Sequence, residues 1–383
     1  MRDVHALVIG GGPAGASAAI GLARRGMRVT LCEAKRFPRV KVCGEFLSPA
    51  AIKPLESLVG VTSLLDAGAR VVSDVVIEQG DREARWKLHQ PGLSLSRALL
   101  DTALLDAARL TGVNVLQPAR IMRVQFADDH IEAQLGNSAC VRATFVVHAD
   151  GSGALDPRGA IRRRTDVLGL KRHFSRSAAR GIDGVRMRAC AGVYVGLTQV
   201  EGDAATCAML ARKAVVAKHD GDATAILRAV LPPRVFASLE LERDAPKPLD
   251  TAWRACGGPG SALVTGGHPR SFRIGDAAAG VDPIAGEGVT IALLSSKALA
   301  AAIEPAALQH SQRALSRVQK RALLLRRFGA RIAGELFLRE RLTSALWPAA
   351  LAPAASIGLW CAATGKGAPG KRTRFNPALT AAT

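Results

Sequence analysis

Aromatic side chains are scarce in this 383-residue chain, at 4% with a single Tyr. A stacking platform for single-stranded nucleic acid needs interleaved rings. No nucleic-acid motif is present either, so no nucleic-acid partner is expected. Cysteine carries no pattern. The seven residues Cys32, Cys43, Cys140, Cys190, Cys207, Cys256 and Cys361 are odd in number and none forms a C-x-x-C pair. That argues against a disulfide framework or a metal site and suits a reducing, cytoplasmic compartment. No secretory leader is expected, because the first apolar stretch, Val4–Ile9, runs straight into glycines and reads as a strand. Acids are outnumbered, 32 Asp+Glu against 52 Lys+Arg, for a net charge of +20. Such a surface attracts anions: nucleotide phosphates, acidic lipids or an acidic partner protein. With 48% hydrophobic and 22% charged residues the chain is globular.

The N-terminus reads strand, turn, helix, strand: Val4–Ile9, the glycine turn 10–15, an Ala-rich helix Ala16–Arg25 ended by Gly26, and Arg28–Cys32. A parallel βαβ unit follows from that order. The pattern turns irregular from Pro38 to about Pro54. Val71–Glu78 and Ala84–His89 are expected as strands of another layer. A helix is expected over Leu95–Leu110, with its apolar face at Leu95, Leu99, Ala103 and Ala107. Strands follow at Val113–Leu116, Ile121–Phe126, Ile131–Leu135 and Val141–His148. Residues 156–264 are less legible. They include a basic run from Arg158 to Arg188 and strand-like pieces at Ala191–Leu197 and Ala204–Leu210, which suggest a second, sheet-based domain. From Val289 the chain reads as helix. Lys297 to Arg341 holds ten Lys/Arg against three Glu, Leu342 to Gly365 has no charged residue, and 366–383 is a basic tail.

Two glycine constellations carry the chemistry. Gly10-Gly11-Gly12-Pro13-Ala14-Gly15 is a G-x-G-x-x-G that follows a strand and opens a helix. Gly10 permits the tight turn, Gly12 lets a pyrophosphate approach the backbone, and Gly15 lets helix and strand pack closely. The helix N-terminus supplies free N–H groups and a positive dipole end. Glu33, at the end of the second strand, can accept from both ribose hydroxyls and would repel a 2′-phosphate. Glu33 does not separate NAD from FAD. The second constellation, Gly275-Asp276-Ala277-Ala278 and Asp282-Pro283-Ile284-Ala285-Gly286-Glu287-Gly288, lies some 260 residues downstream. Asp276 could bind a ribityl hydroxyl, Pro283 could pack on a ring face, and a helix starting near Gly288 could aim N–H groups at an electron-rich ring edge.

These motifs, with Lys41-Val42-Cys43-Gly44-Glu45 and Asp150-Gly151, resemble the FAD-dependent monooxygenase superfamily of p-hydroxybenzoate hydroxylase fold, most of all its geranylgeranyl reductase and halogenase-like branch. The resemblance implies an α/β chain with an α+β second domain. A Rossmann-type FAD-binding domain (1–58, 95–155 and 265–300) would be joined to a sheet-based substrate domain (59–94 and 156–264), with a C-terminal helical segment at 301–383. It also implies that Gly10, Gly12, Pro13, Ala14, Gly15, Glu33 and Ala34 hold the ADP half, with Arg97 near the pyrophosphate. Arg39, Lys41, Cys43 and Gly44 would sit beside the cofactor. Asp150 and Gly151 would lie near the FAD and the nicotinamide path. Gly275 and Asp276 would hold the ribityl chain, Pro283 would face the isoalloxazine, and Gly286, Glu287 and Gly288 would line its pyrimidine edge. Alternatives stay open for several of these. Arg97, Arg39 and Lys41 also read as surface charges, Cys43 as a buried structural thiol or a reactive one, and His148 as a strand histidine or a proton shuttle. Glu45 and Glu287 read as acids near the flavin or as structural groups, and His173 and His268 have no partner visible in the sequence.

The resemblance implies a monooxygenase that uses NADH or NADPH as transient reductant and O2, through a flavin C4a-hydroperoxide, on an aromatic or electron-rich substrate. Two departures narrow this. No His follows Gly275-Asp276-Ala277, against simple phenol hydroxylation, and the W-x-W-x-I-P signature of tryptophan halogenases is absent. A flavin-dependent reductase of prenyl or alkene bonds is the alternative, and a flavoprotein that matures a partner protein is a third. The substrate is expected to be a small or lipid-like molecule. The uncharged 342–365 span has the length to cross a bilayer, but Pro348, Pro353 and its Ala-rich make-up favour a docking segment or peripheral membrane contact.

Overall fold

The computed structural model describes residues 2–151, 164–175, 184–239, 251–260 and 267–339, with positions 249, 263, 264 and 341. The uncharged 342–365 span, the basic tail and part of the Arg158–Arg188 run lie outside them. Within the described residues the chain is a mixed α/β structure with two sheets.

The first sheet has the order β6-β2-β1-β9-β8-β7, with β15 also paired to β9. Its strands are β1 (Arg2–Ile9), β2 (Val29–Cys32), β6 (Asn114–Leu116), β7 (Ile121–Phe126), β8 (Ile131–Leu135), β9 (Cys140–His148) and β15 (Ser271–Arg273). β6, β2, β1, β9 and β15 run parallel, and β7–β8–β9 is an antiparallel meander. One edge of β9 is divided: its first half pairs with β8 and its last three residues with β15. β15 is thereby delivered to the carboxyl end of the parallel strands.

Helix α1 (Pro13–Ala23) follows β1 and is apolar on nearly every side, with nine of its residues buried. It is sandwiched between sheet and neighbouring helices, which is where all-round apolar helices belong. Gly26 ends the turn behind it with φ +79°. Helix α2 (Pro49–Val59) runs through Pro54, so the irregular stretch expected up to Pro54 is corrected. Ala51 and Leu55 are buried there, and the packing of that face holds the helix together across the proline's missing donor. A short α3 (Val61–Asp66) follows. Helix α4 (Arg97–Leu110) is capped by Ser96, whose Oγ accepts from the Leu99 N–H. Its buried face is wider than the expected stripe. Ala98, Leu100, Asp101, Leu104, Leu105 and Ala108 are buried, whereas Leu99, Ala103 and Ala107 are only partly covered.

The second sheet has the order β14-β10-β13-β12-β11-β4-β5-β3. It comprises β3 (Phe46–Leu47), β4 (Arg70–Gln79), β5 (Arg82–Ser94), β10 (Val167–Phe174), β11 (Val185–Cys190), β12 (Val193–Val200), β13 (Ala204–Arg212) and β14 (Arg254–Gly257). Short helices α5 (Lys213–Lys218), α6 (Ala223–Val230) and α7 (Pro233–Ser238) follow β13. Ala223, Ile226, Leu227 and Leu231 there pack on the β10–β13 face. Two helices complete the described chain, α8 (Gly288–Ala302) and α9 (Leu308–Phe337). Among the described residues, no single helix is long and apolar enough to cross a membrane.

Candidate functional site: one row of strand ends carries both glycine loops

The register of the first sheet lines up Cys32, Ile9, His148 and Arg273 as a single row across β2, β1, β9 and β15. Four of the groups singled out in the sequence lie one to three residues beyond that row. They are Glu33 after β2, Gly10 after β1, Asp150-Gly151 after β9, and Gly275-Asp276 after β15. Four loops separated widely in sequence therefore leave the carboxyl edge of one parallel sheet side by side. That edge is where open α/β sheets bind their ligands. Main-chain bonds tie the loops together just past the row: Gly10 N–H to Cys32 O (2.8 Å), Ala149 N–H to Ile9 O (2.9 Å) and Ile274 N–H to His148 O (3.1 Å).

The first loop is shaped by close approach. Gly10 has φ +101°, and a Cβ there would stand 2.5 Å from the Ala149 carbonyl oxygen. A Cβ on Gly15 would stand 1.8 Å from the Gly10 carbonyl oxygen, so helix and strand can meet only through a bare Cα. Gly12 differs. Among the described residues, a Cβ there would meet the Lys41 Nζ and an Arg97 Nη, at 3.5 and 3.8 Å. The N-terminus of α1 thus opens toward two cations, with Pro13 and Ala14 buried behind it. Both cations are held by the buried Asp101, one turn along α4. Lys41 Nζ is 2.7 Å from its Oδ2, and Arg97 makes a two-pronged contact at 2.7 and 2.9 Å. Burial pulls the Asp101 carboxyl upward, but Arg97 and Lys41 outweigh it and hold the group below the usual range. Burial lowers the Lys41 ammonium, partly offset by Asp101. Two positive charges against one negative leave an excess cation beside free helix N–H groups, the donor set an anionic diphosphate requires.

Glu33 is buried. One carboxylate oxygen accepts from Gly11 N–H (2.7 Å) and the other from Lys35 N–H (2.8 Å), so it braces the glycine loop from the next strand. Ala34 is half-buried beside it. The Arg39 guanidinium stacks 5.8 Å from the Phe37 ring. Its Nε is buried with no hydrogen-bond partner among the described residues, a donor in want of an acceptor.

The second loop begins as a 3-10 turn, Gly275–Ala277, and passes through another at Pro283–Ala285 into α8. It presents Asp276, Pro283 and Gly288 at the surface while Ala277, Ile284, Ala285 and Glu287 point inward. Glu287 is fully buried, with Arg326 at 3.3 Å, and it faces the α9 side rather than the open one. Gly286 has φ +63°, and the ring of Phe46 occupies the place of its Cβ. The two glycine constellations also touch. Ala14 packs against Gly275, and Ser296 Oγ on α8 donates to the Ala14 carbonyl (2.7 Å). Asp150 and Gly151 are half-buried, and Gly44 is exposed.

A buried ion cluster, which the sequence did not reveal, anchors the Cys43-Gly44-Glu45 segment. Glu45 is 1% exposed and sits at φ +58°. Its carboxylate accepts from Arg97 N–H (2.7 Å), Lys171 Nζ, Thr206 Oγ1 and His173 Nε2 (2.8 Å). Lys171 also donates to the Lys41 carbonyl (3.2 Å). Burial works to raise the Glu45 carboxyl, but Lys171 and His173 bring it down to about 2. His173, which had no partner in the sequence, therefore has Glu45. The Cys43 thiol is half-buried and free, and it accepts weakly from Glu45 N–H. Ser48 Oγ and Thr290 Oγ1, 2.9 Å apart, tie the same segment to α8. Arg97 with Asp101 at i+4 was readable on a helix. Lys171 and Thr206 left no local sign.

Residues 3–172 match the FAD binding domain family. Over 171 residues the chain is 32% identical to a tryptophan 2-halogenase of Chondromyces crocatus, covering 41% of this chain and 32% of that protein. Over 128 residues it is 28% identical to a digeranylgeranylglycerophospholipid reductase of Sulfolobus acidocaldarius, covering 33% and 28%. The chain spans about a third or less of the length of these curated relatives. Its fold is that of the flavin-dependent brominase Bmp2 (TM-score 0.78, 16% identity, 95% and 94% of the two chains covered). It is also that of PqsL, a probable FAD-dependent monooxygenase from Pseudomonas aeruginosa (TM-score 0.72, 19% identity, 91% and 100% covered). The expected resemblance is borne out at the level of the FAD binding domain, which residues 3–172 match, and of the fold shared with flavin-dependent enzymes.

Proposed function

We propose that the chain is an FAD-dependent monooxygenase that draws electrons from NADH or NADPH and acts on an aromatic or electron-rich substrate. The observation that carries this reading is the row Cys32–Ile9–His148–Arg273, which sets the two glycine constellations at one sheet edge. The surroundings fit the cofactor. Lys41, Arg97 and the α1 N-terminus would take the pyrophosphate, with Glu33 for the adenosine ribose and Asp276 for the ribityl chain. Pro283 and the backbone of 286–288 would meet the flavin ring. When bound, FAD supplies two-electron chemistry and the activation of O2.

The chain's own residues hold, orient and shield. The N-terminus of α8 carries no acid in its first turn, so its N–H groups and dipole favour negative charge at that end. The exposed face of the second loop shows Asp276, the group assigned to the ribityl chain, with Pro283 and Gly288, neither of which carries a proton donor or acceptor in its side chain. Oxygen transfer needs few side-chain acids or bases and is compatible with such a face. The Glu45 cluster clamps the neighbouring segment to the second sheet, fixing the wall next to the loop.

Reduction of an alkene in a prenyl-like substrate is the second reading, favoured by the similarity to the Sulfolobus reductase. Turnover with NADH or NADPH under labelled O2 separates the two. Consumption of O2 with one labelled oxygen in the product supports the monooxygenase. A saturated product formed without O2 contradicts it, as does product formed only when halide is added.

A further inference from the structure

Helix α9 spans Leu308–Phe337 and carries no Asp or Glu before Glu335, which is engaged with Arg164 and Arg212. One face packs inward through Leu315, Leu323, Ala330 and Phe337. The opposite face is open, and it is not an ordinary solvated one. Leu324, Phe328 and Ile332, four residues apart, form a stripe that is 55%, 68% and 46% exposed. One to three turns earlier the same face carries Arg313, Arg317, Lys320 and Arg321, all exposed. A long apolar stripe left in water costs free energy, and singly scattered apolar residues would not line up at helical spacing.

We propose that this outer face of α9 docks on an anionic lipid surface. The charge pattern decides among occupants. A second copy of this chain would bring +20 against the same basic half, which repels. A lipid surface offers phosphate to Arg313, Arg317, Lys320 and Arg321 and an acyl boundary to Leu324, Phe328 and Ile332, the two halves an interfacial helix uses. Beyond position 341 the sequence continues with 24 uncharged residues and then a basic tail, a composition compatible with the same boundary. The proposal does not depend on the monooxygenase reading.

The test is co-sedimentation of the full chain with phosphatidylcholine vesicles, with and without phosphatidylglycerol, across a salt series. Binding to the anionic vesicles, weakening steeply with salt, is expected. Phe328→Asp together with Leu324→Asp should abolish it. Arg317→Gln, Lys320→Gln and Arg321→Gln combined should weaken it about tenfold or more. Both sets lie on exposed positions, and an unchanged melting temperature shows that they fold. Equal binding to neutral vesicles, no binding, or binding untouched by both sets would overturn the proposal. So would a dimer in solution that the Phe328/Leu324 variant dissociates.

Discussion

Gly15 and Glu45 show how single residues fix this site, and each makes a measurable demand. A methyl group on Gly15 would overlap the Gly10 carbonyl, and backbone cannot give way as a side chain can. Gly15→Ala is expected to cost on the order of 3 kcal/mol and to lose FAD, read as melting temperature and flavin absorbance after purification. Glu45→Gln leaves the Lys171 ammonium buried without its counter-charge, which costs about 3–5 kcal/mol. Adding Lys171→Met should recover most of that loss in chemical denaturation. The pH dependence follows from the same pair. Glu45 is held at about 2 against an ordinary 4.5, so its stabilisation is present in full above about pH 4.5 and fades as pH falls toward 2. The shift corresponds to on the order of 3 kcal/mol. In the Glu45→Gln/Lys171→Met protein that acid-induced loss should shrink, and an unchanged acid profile would contradict the assignment. The pair also marks the limit of reading by sequence. Glu45 and His173 are 128 positions apart, and nothing local in Leu168–Phe174 distinguishes a strand lysine bound for the interior from a surface one.

At the scale of elements, α1 and α8 hold the two glycine loops at their working separation. A Cβ on Gly21 would stand 2.9 Å from the Ala300 Cβ, so the helices touch almost backbone to backbone. Gly21→Val should wedge them apart at a cost of about 1–3 kcal/mol. It should weaken FAD binding even though neither residue reaches a loop. A calorimetric titration of FAD beside a thermal melt checks both, and full affinity in a destabilised protein would mean that the helices do not set the site. The strand–turn–helix opening was legible because its signals are local: an apolar run, glycines, a helix N-terminus and an acid after the next strand. Ile131–Leu135 was legible for the same reason, as an alternating segment between turns. α2 was not, because Pro54 breaks the local pattern while burial of Ala51 and Leu55 sustains the helix. Nor was the true face of α4, where Asp101 is drawn inward by two cations from other positions. The helices after β13 are six to eight residues long, too short for periodicity to declare them.

Across the whole molecule, one cofactor would lie against two loops some 260 residues apart in the chain. A ligand that binds only the folded state stabilises it by mass action. FAD at about 100 times its Kd should therefore add about 2.7 kcal/mol. The Glu45 cluster ties the cofactor-side segment to β10 and β13, so that gain should appear as one upward shift of melting in both sheets. The most direct check is a set of titrations of the apoprotein with FAD, FMN and ADP. If Gly10–Gly15 and Gly275–Gly288 grip the two ends of one molecule, FAD binds one per chain and far more tightly than either fragment alone. If ADP binds as well as FAD, or if none of the three binds, the two loops do not serve a single flavin nucleotide and the account fails.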